Sequence, residues 1–263
     1  MSPLSEAALN TACRDQGLSW HVTVLPETGS TNDWLRHSAA SDASSPTAVF
    51  AEIQTSGRGR RENRWQSQPA KDLLFSVLLR PAAPVALWPR ITTLAALALC
   101  RAIEEELPLQ PQIKWPNDIY LNHQKVSGLL AETVQTPSGS AVVLGIGLNV
   151  NSLGFPPELN ATSLLSELGK QSAVQEIDRN GLALRLLGQL EALLGDLDSD
   201  FASHTQEVRK RSWLLGRQIR AAVNGAEVFG RVIDLDHEGA LVIALADGHH
   251  RTLSSAENVR AVV

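Results

Sequence analysis

Four arginines fall within seven residues in the run Gly57-Arg58-Gly59-Arg60-Arg61-Glu62-Asn63-Arg64-Trp65, with two glycines among them and a tryptophan behind. Guanidinium groups match phosphate and carboxylate oxygens with several fixed donors. Glycine lets a backbone approach a ligand closely, and the indole offers a stacking face. The run lacks the Gly-Lys-Ser/Thr of a Walker A loop and the third glycine of a dinucleotide fingerprint. By composition alone it reads equally as an anion-binding loop and as a solvated basic loop or nucleic-acid contact.

Four further stretches hold groups that could serve such a site. Lys114-Trp115-Pro116-Asn117-Asp118 crowds a cation, an amide and a carboxylate around a proline, which restricts its own φ and the residue before it. The plain alternative is an Asn/Asp turn. Lys125-Val126-Ser127-Gly128 sets a lysine at the start of a strand and a glycine where a ligand could lie, or is an ordinary edge strand. In Gly145-Ile146-Gly147-Leu148-Asn149-Val150-Asn151, two glycines interrupt an apolar strand. They leave room for a planar group crossing the sheet, or mark a bulge or close packing against a helix. Glu27-Thr28-Gly29-Ser30-Thr31-Asn32 precedes a helix, with Ser30 as its cap and Asp33 in capping-box spacing. A helix N-terminus also offers free N–H groups to a ligand.

These stretches need a scaffold. The chain has 263 residues, 43% of them hydrophobic. That is enough for a large core plus a small second domain. Strands are predicted at 21–24, 47–54, 73–80, 113–115, 119–121, 125–133 and 141–150. Helices are predicted at 30–40, 88–107, around Leu164–Leu168, at 178–197 and at 201–214. After Gly216 come short strands at 218–223, 227–235, 240–245 and 250–253, separated by Asn-Gly and Asp-Gly turns, as in a small barrel. The expected fold is α+β, a mixed sheet packed with helices over residues 1–214, followed by a small barrel over 215–263. Two distant cysteines, Cys13 and Cys100, exclude a disulfide scaffold and a thiolate zinc site. A net charge of −5 opposes a dedicated nucleic-acid binder. The start lacks a secretory signal and no run is long enough to span a membrane, so a cytoplasmic protein is expected.

Taken in order, the segments resemble the biotin protein ligase family. The carriers are Ser30-Thr31-Asn32, Gln54 with the Gly57–Arg61 run and Trp65, Lys114–Asp118, the Lys125-x-x-Gly128 step and Gly147–Asn151. The resemblance implies a class II synthetase-like catalytic domain with an SH3-like C-terminal barrel. It implies activation of biotin by ATP and Mg²⁺ to biotinyl-5′-AMP, then transfer to one lysine of a biotin carboxyl carrier protein. It places biotin against Ser30, Thr31, Asn32, Gln54, Gly57, Arg58, Gly59, Arg60, Lys125 and Gly128. It places ATP against Arg60, Trp65, Asn117, Asp118, Lys125 and Asn149. Lys125, Arg58, Arg60 and Lys114 would neutralise charge during the reaction, and no metal-binding acid is singled out. The chain departs from the pattern at Glu62-Asn63, where many members have Gly-Arg or Gly-Lys. With 29 residues before Ser30, the DNA-binding domain of repressor members is not expected, nor is DNA binding; a homodimer is left open. A lipoate or octanoate ligase or transferase is the nearest alternative. A non-catalytic adenylate sensor or nucleic-acid binder is the other.

Overall fold

The computed structural model describes residues 3–41, 45–60, 63–170 and 175–262. A short helix, α1 (Glu6–Asp15), leads into strand β1 (His21–Leu25). Helix α2 (Thr31–Ala40) then crosses over to β2 (Thr47–Ala51), parallel to β1. Strand β3 (Leu73–Leu79) is buried along its whole length, as its apolar run, broken only by Ser76, requires of a central strand. After helix α3 (Arg90–Glu106), four strands follow in antiparallel succession: β4 (Gln112–Lys114), β5 (Asp118–Leu121), β6 (Gln124–Thr136) and β7 (Gly139–Leu148). The seven form one mixed sheet in the order β1-β2-β3-β7-β6-β5-β4.

Helices cover both faces. On one lies α3, with α5 (Arg179–Gly195) and α1, in the main hydrophobic core. Ile91, Leu94, Leu97, Leu99 and Ile103 of α3 are fully buried. At roughly 1.5–3 kcal/mol per buried aliphatic side chain, they contribute on the order of 10 kcal/mol. Among the described residues the other face carries one helix, α2, packed through Leu35 and Ala39 on Val49, Leu78 and Val143. Because α2 covers only part of that face, the rest stays open for the site.

Helices α4 (Leu164–Gly169) and α6 (Phe201–Lys210) complete the first part of the chain. The predicted helix 201–214 stops early because Ile113 N–H donates to Arg211 O, and Trp213 N–H to Ile113 O, pulling the chain out of helical geometry. The C-terminal strands β8 (Gln218–Val223), β9 (Ala226–Leu235), β10 (Leu241–Ala244), β11 (His250–Leu253) and β12 (Glu257–Ala261) form an antiparallel sheet in the order β11-β10-β9-β8-β12. Two contacts tie this sheet to the site region. Trp115 Nε1 donates to Gly239 O at 3.1 Å, and Arg90 pairs with Glu238 at 2.7 Å.

Candidate active site

The open face is shaped by strand register. Across β3, β7 and β6, Ser76, Gly145 and Leu130 lie in one row, and Leu74, Gly147 and Gly128 in the next. Gly145 and Gly147 of β7 and Gly128 of β6 clear a trough in the sheet. A Cβ on Gly145 would overlap the Asn32 amide oxygen, and a Cβ on Gly147 would overlap the Trp65 indole. Gly128 likewise lies under Trp65 and the end of Lys125. Of the readings open for these glycines, close packing against a helix holds at Gly145, which meets Asn32 of α2, while Gly147 makes room for the Trp65 indole; the β6–β7 and β3–β7 pairings run without a bulge.

Ser30 stands at the Ncap of α2, as predicted, but its hydroxyl makes no capping bond. Instead the Thr31 N–H donates to Gln54 Oε1 at 2.8 Å. The cap is thus supplied from the next segment, which leaves Ser30 to line a narrow cavity of about 50 Å³ together with Thr31, Asn32, Gln54, Arg58 and Gly145. Thr31, Ser76 and Asn32 are joined by hydroxyl and amide bonds of 2.7 and 2.5 Å. Asn32 Nδ2 donates to Glu132 at 2.8 Å.

Arg58 lies between two carboxylates, Asp33 at 2.7 Å and Glu132 at 2.6 Å. Burial alone would lower the pKa of this guanidinium, but Glu132 and Asp33 reverse that and raise it. Arg58 therefore fastens the glycine-arginine loop to α2 and β6, with its charge already matched. Arg60 instead donates to Asn117 Oδ1 at 3.1 Å, and Asn117 donates to Leu129 O at 2.8 Å. Gly57 and Trp65 are joined through the backbone, and Gly59 N–H donates to Asn63 O at 2.8 Å. Asn63 Nδ2 also donates to Arg60 O, so Asn63 closes a turn around Arg60. Arg61 and Glu62 lie outside the described residues.

A larger cavity of about 400 Å³ adjoins the first and shares Gly59, Arg60, Trp65, Asn117 and Lys125 with it. Its walls add Lys114, Asp118 and Asn149. Lys125 is clamped at its backbone by Asn160 O and Thr162 N–H. Its ammonium pairs with Asp118 at 2.6 Å and lies 5.5 Å from the Trp65 ring centroid. Lys114 donates to the Tyr120 hydroxyl at 3.0 Å. Burial lowers its pKa, and the nearby Arg260 charge adds to this against the pull of Asp118. Burial and Asp118 push the Tyr120 phenol up to about 12. Asn149 donates to Thr162 O at 2.9 Å, while its buried Oδ1 has no hydrogen-bond partner among the described residues. A buried carbonyl with no partner, in a residue that lines a cavity, marks Asn149 as a candidate acceptor. Asn151, two residues on, is bonded on both sides to Ile177 and is structural.

Of the residues the sequence put forward for the site, all but Gly57 line one or other of two connected cavities; Gly57 lines neither and instead meets the Trp65 backbone. The structure adds Arg260 to the wall of the larger cavity, and Ser76 and Glu132 behind the narrow one, bonded to Asn32; the sequence reading passed over all three. A lone serine in Leu73–Leu79 and an acid ending the Leu129-Leu130-Ala131 run were the available signals.

Comparison with known proteins bears on the chain as a whole. Residues 24–150 match the model of the biotin/lipoate A/B protein ligase family, and residues 214–257 that of the biotin protein ligase C-terminal domain. The biotin–[acetyl-CoA-carboxylase] ligase of Mycobacterium tuberculosis is 35% identical over 248 residues, covering 92% of this chain and 90% of that protein. The chain belongs to the biotin protein ligase family. The bifunctional ligase/repressor BirA of Bacillus subtilis is 32% identical, over 96% of this chain and 78% of its own. Among solved structures, the biotin protein ligase of Aquifex aeolicus in complex with biotin and ATP superposes with a TM-score of 0.80 at 28% identity, covering 92% of this chain and 99% of that one. The expected fold, a mixed sheet with helices and a C-terminal antiparallel sheet, is that of biotin protein ligases. The first model is shared by biotin and lipoate enzymes, the nearest alternative, whereas the C-terminal one is named for biotin protein ligases.

Proposed function

We propose that this biotin protein ligase activates biotin with ATP as biotinyl-5′-AMP and transfers the biotinyl group to a lysine of a biotin carboxyl carrier protein. The observation that carries the reading is the pair of joined cavities. One is narrow and lined by amides and hydroxyls, the other larger and lined by cations and an unpaired amide oxygen. The narrow cavity suits a ureido ring, which offers one acceptor and two donors. The larger one suits a nucleotide, with Asn149 Oδ1 as partner for an exocyclic amine.

In the first step a biotin carboxylate oxygen bonds to the α-phosphorus of ATP and the bond to pyrophosphate breaks. Two anions must meet, so charge has to be neutralised where they join. Lys125 and Arg60 lie on the shared wall of the cavities and take that role. Lys114 serves the phosphate side. Arg58, matched by Asp33 and Glu132, holds the loop rather than the phosphate. Mg²⁺ arriving with ATP would offset phosphate charge, and Asp118 is the carboxylate beside Lys125 that would hold it; few protein ligands suffice for this ion. In the second step the carrier lysine amine attacks the acyl carbon, the mixed anhydride breaks, and AMP leaves. Trp65 and the glycine-arginine loop shield that anhydride from water. We place the boundary between the catalytic and barrel parts at Leu214. Among the described residues no helix is long and apolar enough to cross a membrane, and we propose a cytoplasmic site of action.

Biotin-dependent exchange of pyrophosphate into ATP tests the first step. Exchange with biotin and none with lipoate or octanoate is expected. Exchange driven equally by lipoate would overturn the choice of substrate.

A further inference from the structure

Along the narrow cavity, Gln54, Thr31, Ser76, Asn32, Glu132 and Arg58 form one continuous hydrogen-bonded chain, and its direction can be worked out. A carboxylate only accepts. Arg58 donates to both oxygens of Glu132, at 2.6 and 3.2 Å, and Asn32 donates to Oε2 at 2.8 Å. With its NH₂ fixed on that side, the Asn32 amide must present its oxygen on the other. Asn32 Oδ1 accordingly accepts the Ser76 hydroxyl at 2.5 Å. Ser76 has one proton, already committed, so its oxygen accepts from Thr31 Oγ1 at 2.7 Å. At the far end Gln54 Oε1 accepts the Thr31 N–H, which turns the Gln54 NH₂ outward toward Gly57. The wall therefore has a fixed sense. Asn32 offers an acceptor over Gly145, and Gln54 offers a donor.

An asparagine amide has no intrinsic preference between its two orientations; its neighbours decide. We infer that Glu132 is the positioning residue that sets the hydrogen-bond polarity of the biotin cavity, by turning Asn32 so that its oxygen, not its nitrogen, meets a ureido N–H. This rests on the biotin reading given above. Ser76 relays the same sense to Thr31. A buried acceptor facing a ring atom that cannot donate leaves both unpaired, which is the strongest form of rejection a pocket of this kind has.

The test exchanges the two partners. In Glu132→Gln, the new amide can donate to Asn32 Oδ1, so Asn32 can turn over. The half-saturating biotin concentration should rise roughly tenfold to a hundredfold. That for ATP should stay within about twofold. Asn32→Asp sets two carboxylates against each other and should lose a similar amount. The double variant Asn32→Asp with Glu132→Gln restores a donor facing an acceptor and returns an acceptor to the cavity. It should recover biotin binding to within about fivefold of the wild type. A double variant no better than the worse single, or a Glu132→Gln protein with the wild-type biotin constant, would overturn the proposal. The wild type provides a test independent of variant folding. Two isomeric cyclic carbamate analogues of biotin, each with oxygen in place of one ureido N–H, compete with biotin in pyrophosphate exchange. One isomer should bind at least about tenfold more weakly than biotin; both binding as well as biotin would overturn the assignment. A wild type that forms no biotinyl-5′-AMP fails the biotin reading itself, whereas an active wild type matched by Glu132→Gln fails only the role of Glu132.

Discussion

Asp118 Oδ1 and Lys125 Nζ lie 2.6 Å apart across the β5–β6 hairpin, and both remain partly open to the larger cavity. With side chains 19% and 31% exposed, the pair is worth at most about 1 kcal/mol. That is weak enough for Lys125 to leave Asp118 when a phosphate or carboxylate arrives. Asp118 thus parks the ammonium beside the reaction centre without trapping it. Lys125→Ala should reduce biotinyl-5′-AMP formation by about a hundredfold or more. The backbone bonds of Lys125 to Asn160 and Thr162 do not need the side chain, so the melting midpoint should hold within about 2 °C. Adenylate formation at the wild-type rate would remove Lys125 from the chemistry.

Gln54 has its oxygen committed to the Thr31 N–H at 2.8 Å, so its NH₂ is the group it turns toward a ligand. Gln54→Leu should weaken biotin by about 1–3 kcal/mol through the unpaired ureido oxygen. ATP should be nearly unaffected. Calorimetry giving equal losses for both ligands would contradict the placement of biotin in the narrow cavity.

Lys114 carries a sign that can be checked in two ways. Its pKa is lowered by burial, so it loses its proton at a lower pH than a free lysine. The KM for ATP should be flat through neutrality and climb as pH rises toward the ordinary lysine range. Lys114→Arg should flatten that climb, because arginine stays charged. The same displacement means the ammonium opposes folding below its folded pKa, a cost relieved as pH rises from there to the unfolded value. Lys114→Met should therefore keep or raise the melting midpoint near neutrality while weakening ATP. Superimposable KM profiles for wild type and Lys114→Arg would remove Lys114 from the phosphate site.

Arg60 is held by Asn117 and lies on the wall common to both cavities. On the proposed reading, a group there would restrain the adenylate between its formation and its transfer. Arg60→Gly should release biotinyl-5′-AMP faster, and the escaped anhydride should label lysines of bystander proteins. Incubation with biotin, MgATP and serum albumin, followed by a biotin blot, reads this directly. Albumin labelling equal to wild type, with an unchanged adenylate off-rate, would mean the loop does not retain the intermediate.

Much of this architecture was legible in the residues. Apolar runs marked β3 and β7, and Asn-Gly and Asp-Gly turns marked the C-terminal strands. The glycines of β7 announced a close approach, although not by which groups. What stayed hidden has physical causes. Ser30 satisfied every sequence rule for a capping residue, yet Gln54, 23 residues away along the chain, takes the Thr31 N–H. Strand β12 is short, has Asn258 at φ 50° and breaks register between Glu257 and Arg260, so it carries no clean alternation. Ser76 and Glu132 matter only through register, which places them beside Asn32 from strands far apart in sequence. The two asparagines of Gly147–Asn151 look equivalent in one dimension, and only the fold tells the cavity-facing Asn149 from the structural Asn151.

The central claim is that this chain joins biotin to a carrier lysine at the expense of ATP. The most direct measurement is the intact mass of an apo biotin carboxyl carrier domain after incubation with the pure protein, biotin and MgATP. A gain of one biotinyl group on one lysine is expected, absent when ATP or biotin is withheld and abolished when that lysine is replaced. A carrier mass unchanged under all conditions, with the protein folded and both substrates present, would contradict it.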